Sequence, residues 1–501
     1  MPLPPIELES LDPDQLVRVD VPDHPDAIAR SATGAILAAP PTDGTPWRYE
    51  GVGRADVVEP DGEPFVAGDP TAVTNADLWH AAGHRGQGVR VAIFDNSWFG
   101  VHVDPDVIGE VTTRDCLLSP SCETPIEELS THFAIEYGVH GWACTETVRQ
   151  MAPEAEIYAV RAGTGTLFEN AVHWAIRNRI DVITMSLSFY NESFYDGTGP
   201  YHDLLVELEA ANILLVTSAG NDANLHWRSR WEDRNGDDRL DGDGDDGIWV
   251  EATKDIPVSV LWNQFGSCGT TDLSVRVTDG AGRVFSEIDA PQDPEPAEDG
   301  AICVPVERPI IRGSCLPGWY HLEITRERGP VVGLDVDLMF RSGQPSVPMA
   351  ISSVVDPQSD PLAVAVGAIN ARNYWTAGPE AFSSWGPNRV GDPRPDIAGP
   401  DAIDSTSYSG SGFSGTSAST PVVAGLIAVV MSSDPSLTPR EAFQQLQTYA
   451  RNDDPFPPSP DIALGAGRAR LPLLDGAPPG CGRRPLWMGL APMFLFRWRR
   501  R

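Results

Sequence analysis

The segment Phe413-Ser414-Gly415-Thr416-Ser417-Ala418-Ser419-Thr420-Pro421, followed by the apolar run Val422 to Met431, constrains this chain more than any other. The run reads as a buried helix, and the small residues before it place a serine at its entry. Gly415 takes backbone angles that other residues avoid, and small neighbours leave the Ser417 hydroxyl open. The helix N-terminus supplies partial positive charge where an oxyanion would form. Ser417 is therefore a candidate nucleophile. The plain alternative is a Ser/Gly loop that caps a helix.

A serine needs a base and an acid to orient that base. Val91 to Phe94 is a short apolar run after Gly86-Gln87-Gly88, as for a buried strand, and it ends in Asp95. Open α/β sheets place their sites at such strand ends. His140 opens the stretch His140 to Met151, which runs into Ala152-Pro153 and a further strand. His132 is the competing histidine, without comparable surroundings. Ile213 to Thr217 is an apolar strand running into Ser218-Ala219-Gly220-Asn221. Read structurally, Asp95 and Asn221 are turn formers after strands.

These four segments, in this order, resemble the motifs of the subtilisin-like serine proteases (subtilases). The resemblance covers about 75–475 and is interrupted once. It implies an α/β fold: a doubly wound, mostly parallel sheet. It also implies Asp95, His140 and Ser417 as the triad and Asn221 as an oxyanion donor. By the same resemblance, Ser186-Leu187-Ser188 and Ser218-Ala219-Gly220 line the substrate groove. This chain departs from the usual pattern at Asn96-Ser97, at Trp142 for threonine, at Glu146 for glycine, and at Ser188-Phe189 for two glycines.

The interruption between Asn221 and Ala363 is too long for a loop. It opens with an acidic run in which Asp233, Asn235 and Asp237 match the first three ligand positions of a calcium loop, and Asp241 the ninth. Asp238 stands where glycine is expected, so a solvated acidic linker is the other reading. Short alternating segments follow at Val258–Trp262, Leu273–Val277, Trp319–Ile324 and Val331–Val336. They point to an inserted β-sandwich. The expected organisation is an N-terminal arm or prosegment (1–70), a first catalytic part (71–227), the acidic loop with its sandwich (228–345), a second catalytic part (346–475) and a tail (476–501).

A formal charge of −35 argues against nucleic acid and anionic membranes. Salt adaptation is another reading of the same number. Protein or peptide substrates remain, and no cofactor is needed for the chemistry. Of the seven cysteines, Cys116 and Cys122 flank a short turn and can pair, whereas Cys144 reads as a buried thiol. Cysteine usage leans toward an oxidising compartment. Met1 to Glu9 has no signal-peptide character. Pro479 to Arg501 resembles a C-terminal sorting tail read after export, so transient contact with export and sorting machinery is expected. Two function classes follow: a secreted or surface-sorted serine endopeptidase, extracellular or in the cell envelope, or a catalytically weak relative that binds peptides in the groove.

Overall fold

The computed structural model describes residues 16–54, 67–98, 105–117, 119–126, 138–242, 246–265, 270–288, 304–408, 412–453 and 461–474. His132, Cys268, Cys303 and the expected tail lie outside these.

The centre is a seven-stranded sheet of Arg90–Asp95 (β1), Val111–Asp115 (β2), Glu156–Arg161 (β3), Val182–Met185 (β4), Leu214–Ser218 (β5), Val364–Asn370 (β6) and Ile397–Asp401 (β7). Its order is β7-β6-β5-β4-β1-β3-β2, and every pairing is parallel. From β1 the chain runs to the edge strand β2, returns to β3, then crosses to β4 and builds outward to β7. The carboxyl end of β1 is thus the switch point where a cleft opens. β4 and β5 are buried along their whole length, as strands covered on both faces must be.

One face carries His140–Met151 (α1) and Thr416–Ser433 (α3). The other carries Gly165–Asn178 (α2) and Pro200–Ala210. The doubly wound expectation is met. α3 is apolar all round, which is the signature of a helix with no solvent face. It is long and apolar enough to cross a membrane, yet 94% of it is buried inside the domain.

Two antiparallel sheets stand between Asn221 and Ala363. One is built on Asp255–Trp262 and Asp335–Phe340, the other on Asp272–Asp279 and Gly318–Arg328. Trp227, Trp262, Tyr320 and Phe340 fill the space between them. This is the expected sandwich, with one difference. The strand expected over Val331–Val336 starts only at Asp335, and Val332 is 99% exposed. Pro330 and Gly333 turn the chain there, and that overrides the apolar pattern. Cys116 and Cys122 are disulfide-bonded. Residues 16–54 form a small antiparallel sheet, tied to α2 by Arg18 on Glu169 at 3.2 Å.

Candidate active site

Asp95 closes β1 and is fully buried. Its Oδ1 accepts the Ser97 N–H at 2.8 Å, which leaves Oδ2 for the His140 Nδ1 at 2.7 Å. The base is brought there by the entry of α1. The Gly141 N–H donates to the Ser97 carbonyl at 3.0 Å, and the Trp98 indole N–H donates to the Asp95 carbonyl at 3.0 Å. Trp98 lies flat enough on Gly141 that an added Cβ would sit 2.9 Å from its ring. The unusual Trp142 meets Trp98 edge to face, with centroids 5.1 Å apart. The departure from the family pattern is thus absorbed by packing. Asp95, His140 and Cys144 bring their donor atoms within 4.8 Å of one another. Burial, with the Asp95 charge beside it, pushes the Cys144 thiol well up, in line with a buried thiol rather than a nucleophile.

Ser417 is the second residue of α3, after Gly415 at φ +104°, where a side chain would be strained. Pro421 lies one turn on and has no N–H to give to the Ser417 carbonyl. Such an orphaned, buried carbonyl needs another donor. The Ser186 hydroxyl supplies one at 3.1 Å and the Cys144 thiol a weaker one at 3.9 Å. α1 and α3 are therefore pinned together at the nucleophile. Ser186, expected to line the groove, acts here on the serine turn.

Asn221 follows β5. Its Oδ1 accepts both the backbone N–H of Thr416 at 3.0 Å and the Thr416 hydroxyl at 2.9 Å. A backbone N–H can only donate, so the amide orientation is fixed. The Nδ2 group is then the side held away from Thr416, as an oxyanion donor requires. Ser218 and Ala219 are buried, and the Ala219 N–H is used by the Val366 carbonyl at 2.9 Å. The Gly220 carbonyl accepts from Ser384 N–H at 2.9 Å.

Residues 51–54 lie between Ser188 on one side and Gly163 and Thr164 on the other. Arg54 and Ser188 exchange both backbone bonds, at 2.9 and 3.0 Å. Gly53 N–H donates to Gly163 O, and Gly165 N–H to Gly51 O, each at 2.8 Å. The Asn96 amide holds the Gly53 carbonyl at 2.8 Å. Leu187 and Phe189 lie beneath Gly53, within 3.2 Å of where its Cβ would be. Ser188 also takes a hydrogen bond from the buried Gln358 amide at 2.8 Å.

Asp233, Asn235, Asp237 and Asp241 are apart from the triad, between the sandwich strands His226–Arg230 and Ile248–Ala252. Asp233 caps the backbone N–H groups of Gly236, Asp237 and Asp238, at 2.7, 3.2 and 3.0 Å. Asp241 accepts the Arg234 N–H at 2.8 Å. The sequence did not point to Asp401, whose Oδ2 accepts the Gly415 N–H at 3.1 Å. Burial, then Glu380, pushes its carboxyl up to about 8.

The sequence profile of the Subtilase family matches residues 132–242 and 344–467, which flank the sandwich. Minor extracellular protease Epr of Bacillus subtilis is 30% identical over 156 residues, covering 28% of this chain and 21% of Epr. Subtilisin E of the same organism is 27% identical over 156 residues, covering 30% of this chain and 38% of its own. The matched region thus spans well under two thirds of either relative. The Clostridium perfringens CspB protease shares the fold, with a TM-score of 0.54 at 15% identity, covering 81% of this chain and 97% of that one. With the profile matched on both sides of the insertion, the chain is similar to the subtilase family, and it shares the fold of the CspB protease.

Proposed function

We propose that this chain is a serine endopeptidase that hydrolyses peptide bonds through an acyl-enzyme. The observation that carries this reading is the buried Asp95–His140 pair at 2.7 Å, on a helix pinned to the serine turn. Ser417 Oγ attacks the scissile carbonyl while His140 takes its proton. Asp95 keeps Nδ1 protonated and stabilises the imidazolium. Asn221 Nδ2 and the Ser417 backbone N–H receive the oxyanion. His140 then protonates the leaving amine, and water repeats the sequence to free the acid. Casein hydrolysis by the purified chain tests the activity; a folded protein that leaves casein intact and takes no fluorophosphonate favours the peptide-binding alternative.

Residues 1–70 are read here as a prosegment. The support is that 51–54 already make the pairing a substrate strand would make. A side chain at Gly53 would press on Phe189 and Leu187. Gly53→Val is therefore expected to loosen the segment and raise the casein rate several-fold. An unchanged rate in folded protein would mean that the segment does not block the groove.

The acidic turn is read as a structural calcium site. Its donors are all oxygens, Asp233 already organises the turn, and each carboxylate keeps lone pairs for a cation. When bound, calcium would neutralise the clustered charge and hold the connection between the sandwich strands His226–Arg230 and Ile248–Ala252. Chelation is expected to lower the melting midpoint by several degrees, since about 1 kcal/mol shifts a domain of this size by roughly 2–4 °C. Asp233→Asn should remove that difference. Equal midpoints with and without chelator in the unaltered chain would refute the site.

Secretion, and contact with export and sorting machinery, belong to the same proposal. The Cys116–Cys122 disulfide favours an oxidising compartment. The net charge leaves proteins and peptides, not nucleic acid, as partners.

A further inference from the structure

Glu146 stands on α1, six residues after His140, and is only 6% exposed. Among the described residues no cationic side chain pairs with it within 4 Å. A buried carboxylate in that position is costly unless hydrogen bonds satisfy it. Among the described residues, all of its donors come from three consecutive residues of one distant loop. Its Oε2 accepts from the Ser405 hydroxyl at 2.7 Å and the Ser407 N–H at 3.3 Å. Its Oε1 accepts from the Ser407 N–H at 3.1 Å and from the Thr406 hydroxyl.

That loop is the one that delivers the nucleophile. It leaves the sheet at Asp401 and returns at Gly415, two residues before Ser417. Ile403 and Phe413 close it with mutual backbone bonds of 3.0 and 2.8 Å, and Gly415 N–H on Asp401 closes its base. Tyr408, next to the clamped residues, stacks on Phe413 with centroids 5.5 Å apart and planes at 28°. Phe413 in turn meets the His140 ring at 5.6 Å and 89°. The contacts form a closed circuit: His140, α1, Glu146, 405–407, Tyr408, Phe413 and back to His140.

We propose that Glu146 is a positioning residue for the hydrolysis proposed above. It fastens the nucleophile loop to the helix that carries the base and thereby sets the His140 ring toward Ser417. Charge-assisted bonds are roughly twice as strong as neutral ones, which suits a carboxylate to this task. The glycine usual in the family offers no such group. The inference rests on Ser417 and His140 acting as nucleophile and base.

The test is the rate of Ser417 labelling by a fluorophosphonate in the full-length chain, resolved into the maximal inactivation rate and the inhibitor constant. Glu146→Ala is expected to lower the maximal rate about 10–100-fold, the effect of a misplacement near 1 Å, with the inhibitor constant within about twofold. Glu146→Gln keeps one acceptor and a matching amide, and should recover most of the rate. If Glu146→Ala does not fold, the Ser405→Ala/Thr406→Ala pair removes two donors from the loop side and should slow labelling in the same way. Wild-type labelling rates in these variants would overturn the clamp, as would a Glu146→Gln rate as low as that of Glu146→Ala at an equal melting midpoint. A folded wild-type chain that takes no label would instead remove the hydrolase reading, and the clamp with it.

Discussion

Ser417→Ala is expected to abolish casein hydrolysis, with a fall of about 10⁶ in kcat, the size of the corresponding loss in subtilisin. The change deletes only the attacking oxygen. The Ser417 carbonyl keeps its bonds from Ser186 and Cys144, and Thr416 keeps Asn221, because none of these uses the hydroxyl. The variant should therefore fold, melt near the parent midpoint and still bind peptides. What remains is the stabilisation supplied by binding and the oxyanion donors, roughly 10³–10⁴ over water. Steady-state kinetics beside a thermal melt checks this. Appreciable hydrolysis by well-purified Ser417→Ala would move the nucleophile elsewhere.

Asp95→Asn should cost about 10⁴ in kcat while leaving the fold intact. The geometry gives the reason. The Ser97 N–H holds Oδ1 at 2.8 Å and can only donate, so an asparagine must keep its oxygen there. Its amide nitrogen then faces His140 Nδ1 where the carboxylate Oδ2 now stands at 2.7 Å. The imidazole would be driven into the tautomer with Nε2 protonated, which cannot take the Ser417 proton. A loss of tenfold or less would show that Asp95 does not set the tautomer.

The sequence was informative where function is written into contiguous residues. A glycine before Ser417, an apolar strand ending in Asp95 and another leading to Asn221 are local patterns, and the structure places each at an element end around one cleft. The inserted sandwich followed from period and punctuation in the same way, and the α/β core from the family resemblance that these motifs carry. What the sequence left dark depends on partners far along the chain. Glu146 stood out as a departure from glycine, but its donors lie about 260 residues away. Pro421 was read as part of the serine motif, while its effect on the Ser417 carbonyl emerges only once Ser186 is brought across from β4. The lie of residues 51–54 against Ser188 is likewise a matter of strand pairing, which a Gly-rich stretch specifies weakly. Val332 shows the opposite failure, an apolar residue in an expected strand that turn residues hold at the surface.

Peptide mapping by mass spectrometry after fluorophosphonate treatment tests the central claim most directly. A single phosphonylated residue, Ser417, is expected, with the adduct lost in His140→Ala. An adduct on another serine, or none on Ser417 in folded protein, would contradict it.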